Sequence, residues 1–196
     1  MMTSQILLWI AVVVLATVVA ALARQVGILH ERIAPAGALT LHQKVNVGDL
    51  ASPMMLTTLD GQSLTVGGKR KARSQLLFFV APDCPVCKSL LPVLKSAARA
   101  ESSWLDVVLA SDGNEPAQRR MIMDQGLAGM PFVLSEALGR AFGVAKLPYA
   151  VLIDESGKVA SLGLVNSREH LESLFEAKER GVASIQEFLA RREGEA

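Results

Sequence analysis

Cys84 and Cys87 are the only two cysteines in this chain of 196 residues, and two residues separate them. Thiols at this spacing can close on each other into one small disulfide ring. An apolar run at residues 76–80 precedes the pair, and a stretch typical of a helix, residues 88–100, follows it. The first turn of a helix stabilises a thiolate through unpaired N–H groups and the positive end of the dipole. Because the thiolate is the form that attacks disulfides, strand, cysteine pair and helix together predict a redox site.

Other uses of a cysteine pair can be weighed in the same way. A structural zinc site usually needs four Cys or His ligands, and His30, His42 and His170 are scattered, so zinc would have to be shared across a dimer. A purely structural disulfide also stays open, although so small a ring constrains the unfolded chain little. Haem attachment is excluded because Lys88 occupies the histidine position of that motif. We therefore expect no metal and no cofactor.

The first 23 residues contain no charged side chain and are mostly apolar. Roughly 20 helical residues cross the hydrocarbon layer of a bilayer, so residues 1–23 predict a single transmembrane helix. A cleaved signal peptide is the alternative, since residues 21–23 resemble a cleavage motif. Signal peptides, however, begin with basic residues and have a shorter apolar run. We interpret residues 1–23 as an uncleaved membrane anchor.

Charge and chemistry disagree about which side of the membrane the rest of the chain occupies. Arg24, Arg32 and Lys44 follow the anchor, and no basic residue precedes it. The positive-inside rule would place the following domain in the cytoplasm, whereas a tethered disulfide is most useful where disulfides persist, outside the inner membrane. The net charge of the whole chain is +1, which gives no reason to expect a nucleic-acid partner.

Beyond a linker at residues 24–47, residues 48–196 show the pattern of an α/β domain. Hairpins are predicted around residues 60–61 and 154–158, and a central strand buried on both faces is predicted at residues 75–80. Further strands are expected at residues 105–110 and 131–134, with a short helical turn at residues 135–143. Helices are expected after Cys84, at residues 115–125, after an Asn166 cap with Glu169, and around Ile185, Phe188 and Leu189. The basic residues of segment 67–73 are interpreted as a solvated loop. This order predicts helices flanking one mixed sheet.

Three features of residues 48–181 resemble thioredoxin-fold proteins. They are the apolar strand that leads into the cysteine pair, Pro92 five residues after Cys87, and Leu147 and Pro148 before a hairpin. In that fold the corresponding proline is cis and faces the disulfide. The resemblance therefore implies a thioredoxin-like fold in which Leu147 and Pro148 present backbone groups to an extended substrate peptide.

Residues 5–9, 24–32 and 81–100 are similar to those of the MauD family of methylamine-utilisation accessory proteins. That resemblance implies a thiol–disulfide oxidoreductase anchored in the inner membrane by one helix, with its domain in the periplasm. It further implies a client, the small subunit of methylamine dehydrogenase, and contact with other accessory proteins or a membrane redox partner. We expect Cys84 to be the exposed reacting sulfur and Cys87 to resolve the mixed disulfide.

The chain departs from the thioredoxin pattern at Asp83, where an aromatic residue is usual. A carboxylate beside the reacting sulfur opposes thiolate formation, although an aspartate here can equally serve as a turn residue or cap. Pro85 fixes φ and removes one N–H donor, so the helix end should provide most of the thiolate stabilisation. Ala81 stands where peroxiredoxins have threonine, which argues against peroxide chemistry.

Two other functions stay open at this stage. The same fold could supply electrons for haem ligation in cytochrome c maturation, which reverses the direction of electron flow. A membrane-bound chaperone or escort would not need the cysteine pair at all. His170 is expected to be a surface residue of a helix rather than a catalyst.

Overall fold

A computed structural model describes residues 45–180 and, nearer the amino terminus, Met2, Gln5, Ile6, Trp9 and residues 12–19. The chain divides into two units, residues 1–40 and 41–196. In the first unit the described residues are helical and exposed. No helix among the described residues is both long and apolar enough to cross a bilayer. Most of the predicted linker and the helix predicted around Ile185, Phe188 and Leu189 lie outside the described residues.

Residues 45–180 form seven strands and four helices, in the order that the sequence predicts. They are β1 (Met54–Thr57), β2 (Ser63–Val66), β3 (Ser74–Phe79), α1 (Pro85–Ala100), β4 (Leu105–Ser111), α2 (Glu115–Asp124), β5 (Phe132–Leu134), α3 (Glu136–Ala141), β6 (Tyr149–Ile153), β7 (Val159–Leu164) and α4 (Arg168–Arg180).

Five strands form one mixed sheet in the order β5-β4-β3-β6-β7. β3 runs parallel to β4 and antiparallel to β6, while β4 is parallel to β5 and β6 is antiparallel to β7. The parallel pair β3 and β4 is joined through α1, as a crossover connection requires. β1 and β2 form a separate hairpin, and Thr58 bridges from it to Val133 of β5. The predicted α/β fold with a mixed, thioredoxin-like sheet is confirmed.

β3 lies at the centre, and all six of its residues are buried. Leu76 and Phe78 face one apolar cluster, which contains the buried faces of α1 and α4. Leu77 and Phe79 face the opposite cluster, which contains Leu138 of α3. Burying one such side chain contributes about 1.5–3 kcal/mol. The strand that leads to the cysteine pair is therefore held firmly from both sides.

Two local expectations are wrong. The hydroxyl of Ser167, rather than the side chain of Asn166, accepts from the His170 N–H at the start of α4 (3.3 Å), because the helix begins one residue later than predicted. The basic segment 67–73 is not simply solvated: Arg70 and Arg73 form ion pairs with Asp106 at 2.7 and 2.5 Å. The partner lies at the start of β4, which the local sequence does not show.

Candidate active site

The cysteine pair lies at the start of α1, where the structure joins Cys84 and Cys87 in a disulfide with their Cα atoms 5.2 Å apart. Cys84 is the N-cap of the helix, and Pro85 is the first helical residue. The Cys87 N–H donates to the Cys84 Sγ over 3.1 Å. A helix end therefore directs an N–H donor at the Cys84 sulfur, which is the arrangement that stabilises a thiolate.

The two sulfurs differ in accessibility. Cys84 is partly exposed, whereas Cys87 is 0% exposed and belongs to the apolar cluster around Phe78 and Leu91. An incoming thiolate can reach Cys84 only. This difference in access suits Cys84 to exchange with a partner and Cys87 to act as the sulfur that leaves or returns within the chain.

The turn that holds Cys84 is fixed by the end of β4. The Val80 N–H donates to the Ala110 carbonyl (2.9 Å), and the buried Ser111 hydroxyl donates to the Val80 carbonyl (2.7 Å). The Cys84 N–H then donates back to the Ala81 carbonyl (3.2 Å). Sequence reasoning missed Ser111; its only signal was a small polar residue at the end of a buried strand.

The loop before β6 reaches the same end of the sheet, because Tyr149 pairs with Phe79 of β3. The Leu147–Pro148 peptide bond is cis, as the resemblance implies. Pro148 is buried, its carbonyl accepts from the Val165 N–H (3.1 Å), and Leu147 is 36% exposed. The backbone N–H and carbonyl of Leu147 form no hydrogen bond with any residue that the structure describes. Burial raises the pKa of the Tyr149 phenol, which therefore stays protonated at neutral pH.

Asp83 lies in the turn before α1 and is exposed. It is a turn residue and not the helix cap, since Cys84 occupies the cap position. Within residues 45–180 its carboxylate forms no ion pair and no hydrogen bond. Any repulsion between Asp83 and a Cys84 thiolate therefore acts through water, where it is screened.

Metal ligands do not gather in the described part of the chain, which contains no group of three His, Cys, Asp or Glu side chains able to hold an ion. Two of the three histidines, His30 and His42, lie outside it. His170 is exposed on α4, and its Nδ1 accepts from the Asn166 N–H (3.3 Å). Its contact is with the helix start rather than with the cysteine pair.

Comparisons with known proteins agree with this geometry. The Redoxin family profile matches residues 38–178. Among solved structures, a putative thiol:disulfide interchange protein DsbE from Chlorobium tepidum superposes with a TM-score of 0.60 at 20% identity, over 68% of this chain and 98% of that one. A likeness at this identity supports the fold alone.

Relatives over the full length are closer in sequence. The methylamine utilization protein MauD of Paracoccus versutus is 44% identical over 100% of this chain and 98% of its own length. MauD of Methylorubrum extorquens is 43% identical over 98% of this chain and 93% of its own length. With an accessible sulfur at a helix start, a buried partner sulfur and a Redoxin domain, the chain is a thiol–disulfide oxidoreductase. By identity and coverage it belongs to the MauD family.

Proposed function

We propose that this oxidoreductase acts in methylamine utilisation, by disulfide formation during maturation of the small subunit of methylamine dehydrogenase. The observation that supports the chemistry best is the contrast between the partly exposed Cys84 and the fully buried Cys87. The pathway is suggested by relatives named for methylamine utilization that match over nearly their whole length. The client and the direction of electron flow are part of the proposal.

The proposed reaction consists of two exchanges. A client thiolate attacks the Cys84 Sγ, the bond between the two chain sulfurs breaks, and the electron pair leaves on the Cys87 sulfur, which takes up a proton. A second client thiolate then attacks the client sulfur of the mixed disulfide and releases Cys84 as a thiolate. The client loses two electrons, and Cys84 and Cys87 gain them. A membrane redox partner must accept these electrons before the next cycle.

The helix start assists the second exchange. When the second exchange releases Cys84, negative charge develops on the sulfur that already accepts from the Cys87 N–H. Pro85 contributes no N–H, and Val86 has no charge, so this donor and the helix dipole provide the stabilisation. The N–H and carbonyl of Leu147 have no partner within the described residues, so a client segment in extended conformation can pair with them, as strands do at an open edge.

We further propose that residues 1–23 anchor the chain in the inner membrane, with the following domain in the periplasm. The support is the uncharged apolar sequence, the length such a span needs and the compartment in which disulfides persist. The basic residues after the anchor argue for the opposite orientation. Intact cells treated with a mild reductant and then with a membrane-impermeant thiol reagent should show labelled Cys84; protection from the reagent would place the domain in the cytoplasm.

The function is tested with a trapping variant. Cys87→Ser cannot form the chain disulfide, but its Cys84 thiolate can attack a disulfide of the client and release one client thiolate, which is the reverse of the second exchange. Because no Cys87 sulfur can then displace the client, the disulfide between Cys84 and the client should accumulate in cells that make methylamine dehydrogenase. Cys84→Ser is the matched control and should form no such adduct. Recovery of no dehydrogenase subunit with Cys87→Ser would contradict the proposed client. A Cys84→Ser, Cys87→Ser double variant that still supports mature dehydrogenase would favour an escort without redox chemistry.

The direction of electron flow needs a separate measurement. The reduction potential of the purified domain separates the oxidant from the rival reductant for cytochrome c maturation. A value near that of DsbA, about −120 mV, favours disulfide formation, and a value near that of thioredoxin, about −270 mV, favours reduction.

A further inference from the structure

A cavity of about 310 Å³ opens at the end of the sheet that carries the cysteine pair. Its wall is formed by the ends of β3 and β4, by α3 and by the loop before Pro148. The residues at its apolar part are Phe79, Val80, Ala110, Val144, Ala145 and Leu147. Neither the proposed exchange at Cys84 nor the pairing at Leu147 uses this space.

The cavity offers apolar surface and few free polar groups. The Ser111 hydroxyl already donates to Val80, and the Ser135 hydroxyl accepts from the Leu138 N–H (3.1 Å) as the cap of α3. At the mouth, Arg140 is paired with Glu136. Among these lining groups only the exposed Asp112 carboxylate has no partner within the described residues, and its negative charge would repel an acidic occupant, whereas an apolar occupant gives up only contacts with water. Cavities of this size lie at the lower end of the range for ligand pockets, about 300–1,000 Å³.

The cavity borders the candidate active site at Leu147. Leu147 lines it and directly precedes the cis Pro148, and Val80 lines it four residues before Cys84. If a client segment pairs with the backbone of Leu147 as a strand, its successive side chains point alternately to the two faces of the sheet. If the client cysteine points to Cys84, its neighbour in the segment points away from α1. The cavity lies on that other side of the sheet, beside α3.

We propose that this cavity is a specificity pocket for one apolar side chain, such as leucine or phenylalanine, adjacent to the client cysteine that reacts with Cys84. The inference rests on the proposed thiol–disulfide exchange and names a chemical preference for its client. The pocket selects among cysteines by the residue beside them, and client segments with a charged neighbour react more slowly.

Gly139 gives a direct test, because it lines the cavity and a Cβ placed on it would meet no atom within 4 Å. Gly139→Phe should therefore fill the space without a backbone clash. The oxidised protein is mixed with reduced peptides that contain one cysteine next to Leu, Ala or Asp, and the rate constants of exchange are measured. We expect the wild-type chain to favour the Leu peptide over the Asp peptide by about 10-fold or more, the usual effect of an apolar pocket. Gly139→Phe should reduce that ratio to about 1–2.

Two controls accompany this variant. Gly139→Ala leaves most of the space open and should keep most of the preference. Ala128→Phe places the same large side chain in a different groove, beside Lys95 and Met130, and should behave as the wild-type chain does. Ala145→Leu narrows the cavity from its exposed rim and replaces Gly139→Phe if that variant fails to fold.

The outcomes separate this inference from the function on which it rests. Equal rates with the Leu and Asp peptides in the wild-type chain would overturn the pocket and leave the exchange reaction intact. Absence of exchange with any peptide would overturn the proposed function itself. If Gly139→Phe slows reduction by dithiothreitol as much as exchange with the Leu peptide, the substitution acts on the disulfide and the pocket is overturned.

Discussion

The acidic residues at the two ends of β4 differ in their ion pairs and hydrogen bonds. At its start, Asp106 is held by Arg70 and Arg73, and Arg73 also donates to the carbonyls of Ser102, Ser103 and Leu105. After its last residue, Asp112 is exposed, and its carboxylate forms no ion pair or hydrogen bond within the described residues. We call the start of β4 the closed end, because contacts within the chain pair its polar groups. We call the opposite end of the sheet, which contains Asp112, Leu147 and Cys84, the open end, because it leaves polar groups for a partner.

Backbone groups show the same contrast. At the closed end, the Ser74 N–H donates to the Trp104 carbonyl (2.8 Å), and the buried Gln75 side chain joins Gly67 (2.9 Å) and Thr65 (3.2 Å). At the open end, Leu147 has a free N–H and a free carbonyl within the described structure. Unmet hydrogen-bond capacity is expensive when buried and cheap at a surface. The open end can therefore await a client strand without loss of stability.

The largest effect should come from the open end, with Cys84→Ser. This variant removes the accessible sulfur of the cysteine pair, so exchange with a peptide disulfide should fall by at least about 10³-fold, as for other lost nucleophiles. The rate is measured under conditions in which the wild-type reaction is first order in protein. Cys87→Ser is the matched control and should still complete the first exchange. Equal loss in both variants would mean that Cys87 takes part in the first attack.

A second pair of variants compares the stability of the two ends. Asp106→Ala leaves two guanidinium groups without their carboxylate and should lower the free energy of unfolding by about 1–2 kcal/mol, after allowance for the solvent that screens this partly exposed cluster. Asp112→Ala should change it by less than about 0.5 kcal/mol. Urea denaturation of both variants measures the difference. Equal changes in the free energy of unfolding would mean that Asp106 and Asp112 contribute alike to stability, which contradicts the difference between the closed and the open end.

Acid should weaken the closed end. The hydrogen bond from Arg73, followed by that from Arg70, holds the pKa of the Asp106 carboxyl below its ordinary value of 3.8, against the opposing effect of partial burial. In the unfolded chain the carboxyl titrates near the ordinary value, so its contribution to stability is full above about pH 5 and is lost as the pH falls below about 4. The stability difference between the wild-type chain and Asp106→Asn should therefore shrink between pH 6 and pH 3. Arg73→Gln removes the main partner and should show the same narrowing; a constant difference would contradict the assignment.

The sequence predicted the elements because their signals are local. The continuous apolar run of β3, the cysteine pair before α1 and Pro148 before β6 each lie within a few residues of the structure they specify. The start of α4 was misplaced by one residue because Asn166 and Ser167 are both good caps.

Contacts between distant segments leave no local pattern in the sequence. Arg70 and Arg73 meet Asp106 across 36 and 33 residues of chain, and no local pattern distinguishes such a loop from a solvated one. The cavity is formed where two strands, α3 and the loop before Pro148 meet, so it exists only in the fold. The resemblance implies the importance of Leu147 and Pro148, but whether the backbone of Leu147 is paired depends on segments distant in sequence, and within the described residues it has no partner.

The smallest expected effect is that of Asp83, the exposed carboxylate beside Cys84. Even at 4 Å, two unit charges in water interact by only about 1 kcal/mol, which corresponds to a factor of about 5. Asp83→Asn should therefore speed the attack of reduced Cys84 on a neutral disulfide by no more than about fivefold at low salt. The gain should vanish near 1 M salt, where screening acts within about 3 Å. Lys88→Gln, on the exposed side of α1, should produce a small change in the opposite direction. A larger or salt-independent gain would mean that Asp83 contacts the Cys84 sulfur directly in the reduced chain. In that case Asp83 would lower the rate at which Cys84 attacks disulfides.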